Sequence, residues 1–267
     1  MSVFAFDSAL VRTPEPEVVE GLRAHQGEGP SYQGVLAEHR AYVAALEAAG
    51  LAVEVLPPLL GHPDAVFVED PAFVLPEGAV LLRSGAPSRM DEAAALAPIL
   101  RRRFETMLEL DEGFADGGDI LILPDEILIG LSARTDQRGA ERFVELMAML
   151  GREARIFATP AGTLHLKSAC ALLDEEAVVA TPALAASGCF EGLEVVVTPE
   201  GEDAAANLLR VNDRVLIADG FPRTAALVAA RGYGPIALHT AEIAKLDAGL
   251  SCMSLRWLSV SGRTDRA

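Results

Sequence analysis

Near the end of the chain the segment DAGLSCMSLRW, Asp247 to Trp257, places Cys252 after a glycine-containing turn, just where an apolar strand begins. A cysteine attacks as its thiolate, and a nearby histidine can take the thiol proton or protonate a departing amine. His165, in TLHLKS, is the candidate partner. Taken alone, the two residues leave open a buried structural thiol and a hydrogen-bonded histidine. The acids Asp64, Glu69, Asp70 and Asp116 narrow the chemistry. Carboxylates beside a thiol oppose its ionisation unless the substrate carries positive charge. A guanidinium meets that requirement, because its planar fork of N–H donors pairs with carboxylates while its charge favours the thiolate.

Residues so far apart in sequence need a repeating scaffold to bring them together. FVEDPAFVLPEGAVLLRS reads as two apolar runs around a turn at Pro76 to Gly78, which is a β-hairpin. GGDILILPDEILIGLS, KSACALLDEEAVVATP and AANLLRVNDRVLIADG repeat the design. Between them lie helical patterns, MDEAAALAPILRRRFETML, TDQRGAERFVELMAML and PRTAALVAARGYG, followed by short strands such as ARIFATP and GPIALHT. The module is therefore hairpin, helix, strand. Asp70, Asp119, Ser168, Asn207 and Cys252 mark the hairpin entrances at intervals of 49, 49, 39 and 45 residues, a period suited to radial or solenoidal repeats. The fifth hairpin offers only SCMSLRW, and VFAFDSALV near the N-terminus can supply its missing strand and close a ring without exposed sheet edges. YQGVLAEHRAYVAALEAAG and LAVEVLP complete that module. An ordinary open α/β sheet is the alternative. In a ring, the hairpin entrances converge on the axis.

Composition excludes several classes of function. With 267 residues, 51% hydrophobic and 23% charged, the chain has enough apolar surface for one large core or two modest ones. A net charge of −17 argues against a nucleic-acid partner, and the run Arg101 to Arg103 reads as the solvated face of a helix. The first residues show no signal peptide, and no apolar stretch approaches the roughly 18 residues of a membrane span, so a cytoplasmic location is expected. Three cysteines without C-x-x-C spacing indicate neither a disulfide framework nor a zinc site. Neither a metal nor an organic cofactor is expected. Oligomeric state is not encoded legibly.

The segments FVEDPAFV, DGGDILILPDEILIGLSARTDQRGAE, TLHLKSACAL, AANLLRVNDRVLI and DAGLSCMSLRW closely resemble the dimethylarginine dimethylaminohydrolases, of the guanidino-group-modifying superfamily that includes arginine deiminases and amidinotransferases. The resemblance runs from Phe4 to Trp257, with motifs in the same order. It implies a five-bladed α/β propeller with a central active site, as one catalytic domain over 1–257, followed by a tail over 258–267 expected to be disordered. By the same resemblance Cys252 is the nucleophile and His165 the general acid and base, while Asp116 joins Asp70 in holding the guanidinium. Some relatives carry Glu in place of Asp116. Arg89 and Arg134 look like the pair that grips the substrate α-carboxylate, Asp64 like the ligand of its α-amino group, and Phe67 and Glu69 like pocket walls. The loop Gly21 to Gln33 resembles a lid, with Leu22 near its tip. Arg134 is followed by TDQRG where relatives often have TNQRG, a change expected to touch loop hydrogen bonding. The implied reaction converts Nω-methylated arginine to citrulline and methylamine or dimethylamine through a covalent cysteine intermediate.

The same residues would serve an arginine deiminase or a hydrolase of another arginine derivative such as hydroxyarginine. An amidinotransferase or a non-catalytic arginine-binding protein fits less well. Cys170 and Cys189 read as packing residues. Asp119 either holds the Gly-Gly-Asp turn, the favoured role, or orients His165. Lys167, two residues after His165, is not expected to join the catalytic group. His25, His39, His62 and His239 have no evident role.

Overall fold

The computed structural model describes residues 2–24 and 27–259. Among the described residues there are five three-stranded sheets. The first joins β1 (Ser8–Arg12) to β2 (Ala52–Leu56), the two being parallel and connected through α1 (Tyr32–Ala48), which Ser31 caps by accepting the Gly34 N–H. The second is built from β3 (Ala72–Leu75), β4 (Gly78–Leu81), α2 (Glu92–Arg103) and β5 (Met107–Glu109), and the third from β6 (Ile120–Ile122), β7 (Ile127–Leu131), α3 (Gln137–Met149) and β8 (Ala154–Ala158). β9 (Cys170–Leu172), β10 (Ala177–Ala180), the single-turn α4 (Pro182–Ala185) and β11 (Glu194–Val197) form the fourth. β12 (Leu209–Val211), β13 (Arg214–Ala218), α5 (Pro222–Ala229) and β14 (Pro235–Leu238) form the fifth, after which α6 (Ala241–Ala244) leads to β15 (Leu255–Trp257). In sheets two to five the hairpin is antiparallel and the third strand parallel. β15 completes the first sheet by pairing antiparallel with β1, Ser8 opposite Trp257, so both ends of the chain share one blade.

Strand periodicity explains why the blades form a ring. Successive side chains of a strand point to opposite faces, so a strand buried on both faces reads as one continuous apolar run. Along β3, Ala72 and Val74 enter a core with Leu10 and Leu255 of the first blade, whereas Phe73 and Leu75 enter a core with Ile120 and Ile129 of the third. Leu121, Cys170 and Leu172 fill the space between blades three and four, and Ala171, Val215 and Ile217 that between four and five. Ala9 and Val11 pack with Leu209 and Val211 and join the fifth blade to the first. Five cores between five pairs of neighbouring blades make a five-bladed α/β propeller.

The hairpin, helix, strand reading holds in outline, with boundaries moved: α5 stops at Ala229 and β1 starts at Ser8, both inside the expected segments, and α2 ends early for a visible reason. The apolar pattern through Leu108 suggests a helix continuing past Arg103, yet Phe104 turns extended and buries its ring edge-on against Trp257, 5.3 Å between centroids. That anchor releases Met107–Glu109 to pair with β4 as the third strand. Among the described residues no helix is long and apolar enough to cross a membrane. Of the expected tail, residues 260–267 lie outside the described residues, as do His25 and Gln26 of the expected lid.

Candidate active site

Cys252 lies in a single 3-10 turn, Ser251–Met253, that enters β15. The turn is held from three sides. Asn207 Oδ1 accepts the Ser251 N–H at 3.1 Å, the Glu69 N–H donates to the Cys252 carbonyl at 3.1 Å, and Tyr42 Oη lies 2.6 Å from Ser254 Oγ. Burial, with Glu69 and Asp70 adding to it, pushes the thiol up to about 12. The sulfur is therefore protonated at neutral pH.

His165 precedes another 3-10 turn, Leu166–Ser168, and is 7% exposed. Its Nε2 faces Asp116 Oδ2 at 3.3 Å. Burial pulls the imidazole down, but Asp70, the hydrogen bond to Asp116 and the charge of Asp119 outweigh it and lift the ring to about 9. His165 is thus an imidazolium at neutral pH, a proton donor in waiting. Gly118 passes directly behind it: a Cβ there would sit 2.8 Å from the ring Cγ and 3.0 Å from Asp70 Oδ1, so the second glycine of Asp-Gly-Gly-Asp is a condition of this packing.

Asp119 does not touch the ring. Its Oδ2 accepts from Ser132 Oγ at 2.6 Å and Thr135 Oγ1 at 2.7 Å, and its Oδ1 from the Leu166 N–H at 2.8 Å, which fixes the backbone beside His165. Asp116, not Asp119, faces the imidazole; it is fully buried, accepts the Gly85 N–H at 3.2 Å, and lies within reach of Asp70 and His165. Asp70 does line the pocket, with Oδ1 on the Gly118 N–H at 3.1 Å. Burial raises its carboxyl, but Arg89 and His165 prevail and hold it below the ordinary range.

A cavity of about 180 Å³ brings together Leu22, Asp64, Phe67, Asp70, Arg89, Arg134, His165 and Cys252. Arg89 is fully engaged in the protein rather than extended into open space. Nε and Nη2 fork onto Glu92, Nη1 reaches Asp70 Oδ2 at 2.5 Å, and Nη2 also donates to the Phe67 carbonyl at 3.0 Å. Arg134 is the looser cation, with Nη1 3.8 Å from Asp116 Oδ2 and without a hydrogen-bond partner among the described residues. Asp64 Oδ1 accepts the Leu22 N–H at 3.0 Å, and Asp247 Oδ2 accepts the Ala24 N–H at 2.5 Å, so two pocket carboxylates tie down the Leu22–Ala24 segment.

Glu69 departs from its expected place. Its carboxylate turns to a second cavity, bonds Lys167 at 2.6 Å and Arg256 at 3.3 Å, and does not line the pocket that holds Cys252. Lys167 accordingly serves Glu69, and Cys170 and Cys189 pack in the core between blades three and four. Sequence reasoning missed Glu92 and Asp247. An acid three residues after Arg89 at a helix start was a visible signal for the first; the second shows only in its left-handed backbone, φ 55°. It also missed that Asp70, Asp116 and His165 bring ligand atoms within 4.8 Å of one another, a group able to hold a metal ion. The three come from different modules and show no ligand spacing.

The arginine deiminase family model matches residues 36–207. N(G),N(G)-dimethylarginine dimethylaminohydrolase of Pseudomonas aeruginosa is 34% identical over 94% of this chain and 100% of its own. The chain belongs to the dimethylarginine dimethylaminohydrolase family. A crystal structure of a Cys-to-Ser mutant of the Pseudomonas aeruginosa enzyme complexed with citrulline superposes with a TM-score of 0.92 at 33% identity, covering 95% of this chain and 100% of that one. A dimethylarginine dimethylaminohydrolase with a His-to-Gly change, in an adduct with S-methyl-L-thiocitrulline, gives a TM-score of 0.91 at 33% identity, with 94% and 99% covered.

Proposed function

We propose that the protein hydrolyses Nω-methylated arginine to citrulline and methylamine or dimethylamine, with Cys252 as nucleophile. The observation that carries this reading is the meeting of His165 and Cys252 in one pocket with Asp64 and Asp70. A guanidinium entering beside Asp70 adds the positive charge that the thiol needs to ionise, and it adds it only when substrate is bound. Asp70 can accept the substrate while keeping Arg89, because a carboxylate has about four lone-pair positions. The thiol gives its proton to solvent, and the thiolate bonds to the central guanidinium carbon. As the bond from that carbon to the methylated nitrogen breaks, His165 protonates the departing amine and leaves an S-alkylthiouronium on Cys252. Neutral His165 then takes a proton from water attacking the same carbon, the carbon–sulfur bond breaks, and the sulfur leaves with citrulline formed. Asp116 keeps Nε2 of the ring in place through both proton transfers. Arg134, the looser cation of the pocket, would receive the substrate carboxylate with Arg89 beside it, and Asp64 the ammonium; that all three line the same cavity supports this reading.

The test is a substrate panel of arginine, Nω-methylarginine, asymmetric Nω,Nω-dimethylarginine, Nω-hydroxyarginine and agmatine, scored for ureido product and released amine. The two methylated forms are expected to have the highest kcat/KM, each methyl gaining about 0.8 kcal/mol on burial. Hydroxyarginine or arginine ahead of both would overturn the substrate while sparing the nucleophile. Agmatine ahead of all would remove the amino-acid pocket.

A further inference from the structure

Asp247 stands where glycine would be the less strained choice. Its φ is 55°, and among the described residues only Asn212 is also a non-glycine at positive φ. Asn212 is held there by its carboxamide, which bonds the Phe6 N–H and the carbonyls of Phe6 and Ala49. Asp247 has a corresponding long-range bond: its Oδ2 accepts the Ala24 N–H at 2.5 Å. Arg23 and Ala24 line the cavity that holds Cys252, as do Leu246 and Asp247. The chain enters this segment past Gly21, where a Cβ would lie 3.1 Å from Leu246 Cδ2 and 3.0 Å from Asp64 Oδ1. Further on, the Ser31 N–H donates to Glu242 Oε2 at 2.5 Å. Glu38 of α1 in turn accepts the Glu242 and Ile243 N–H groups at 2.8 and 2.9 Å, which fixes α6. The stretch from α6 to Asp247 therefore holds the chain at Gly21, Ala24 and Ser31, and five residues later it delivers the nucleophile.

We propose that Asp247 is a positioning residue that clasps the Leu22–Ala24 segment against the substrate pocket through the Ala24 N–H, and so sets how tightly substrate is enclosed. Asp64 holds the Leu22 N–H of the same segment, but in the proposed reaction it also receives the substrate ammonium. Asp247 gives the segment a second hold that has no part in that binding. A held segment slows the escape of substrate and limits bulk water around the covalent intermediate.

The proposal rests on this pocket being the substrate site, and its test reads the segment itself as well as turnover. Trypsin cutting after the exposed Arg23 breaks the Arg23–Ala24 peptide, whose N–H is the one that Asp247 holds. Asp247→Gly and Asp247→Asn are compared with wild type in three measurements: the rate of cleavage at Arg23 without ligand, kcat and KM on Nω,Nω-dimethylarginine, and urea unfolding. Glycine accepts the left-handed backbone, so Asp247→Gly keeps the turn and removes the carboxylate. It is expected to be cut at Arg23 about 10–100-fold faster, as for loss of a hydrogen bond to a charged acceptor. KM should rise about tenfold with kcat changed far less, and the urea midpoint should stay close to that of the wild type. Asp247→Asn keeps an oxygen for the Ala24 N–H and tolerates the backbone, so it should restore most of the protection. Wild-type cleavage at Arg23 in Asp247→Gly would overturn the proposal, and with a raised KM it would put the Asp247 carboxylate on the substrate instead. Asp247→Asn cut as fast as Asp247→Gly would overturn it as well. If Asp247→Gly does not fold, hydrogen exchange of the Ala24 amide in the wild type decides: slow exchange is expected, and exchange at the rate of a free amide would overturn the clasp. A wild type inactive on every substrate would defeat the assigned reaction and leave the cleavage comparison standing.

Discussion

At the scale of residues, the site is organised by protonation. His165 is lifted to about 9 and Cys252 to about 12, so the reactive pair, thiolate with imidazolium, carries one proton fewer than the form dominant at neutral pH. Raising the pH removes that proton. kcat/KM is therefore expected to climb about tenfold per pH unit up to about pH 9 and then level off, since this ratio reports the free enzyme. A steady-state pH profile checks this, and a flat line from pH 6 to 9 would mean that the reactive form already dominates. That Cys252 and His165 meet in one pocket was legible in the sequence, because thiol and imidazole chemistry narrows the candidates to few. The direction of Glu69 was not. Glu69 and Asp70 are adjacent, and which of two neighbouring acids faces a pocket is decided by a turn that no periodicity describes.

At the scale of elements, the candidate site residues Asp116, His165 and Cys252 sit in or immediately before single 3-10 turns ahead of the hairpins, at Gly117–Asp119, Leu166–Ser168 and Ser251–Met253. Hairpins and helices were readable from apolar runs and turn residues. Three-residue turns carry no periodic signal, so the contact of Asp116 with His165 Nε2 was not legible in the sequence. The N-terminus of α2 holds a second case. Arg89 pairs with Glu92 in the first turn of that helix and with Asp70, all of them buried, so Arg89→Ala strands two carboxylates inside the protein. Loss of one partner of such a network typically costs about 3–5 kcal/mol. Urea unfolding of Arg89→Ala should show a loss of that size together with a raised KM. A variant as stable as the wild type, with only KM altered, would return Arg89 to a role in substrate binding alone.

At the scale of the molecule, the ring matters because no one blade owns the site. Asp70 comes from the entrance to the second blade, Asp116 and Asp119 from the third, His165 from the fourth, Asn207 from the fifth, and Cys252 from the strand that returns to the first. The repeat interval and the incomplete fifth hairpin made closure legible, but the five separate cores that enforce it depend on which face each strand side chain takes. Trp257 seals the junction of the two chain ends against Phe104 and is 7% exposed. Trp257→Ala should cost about 3–5 kcal/mol in urea unfolding and lower activity through the Cys252 turn just before it; an unaffected midpoint would show that the closing strand is dispensable. The central claim is that this ring delivers Cys252 to the guanidinium carbon. It is tested most directly by citrulline release from Nω,Nω-dimethylarginine by purified, folded Cys252→Ser beside wild type. The account predicts release by the wild type and no turnover by the variant, which still binds the substrate; citrulline formation by Cys252→Ser at a rate comparable to wild type would contradict it.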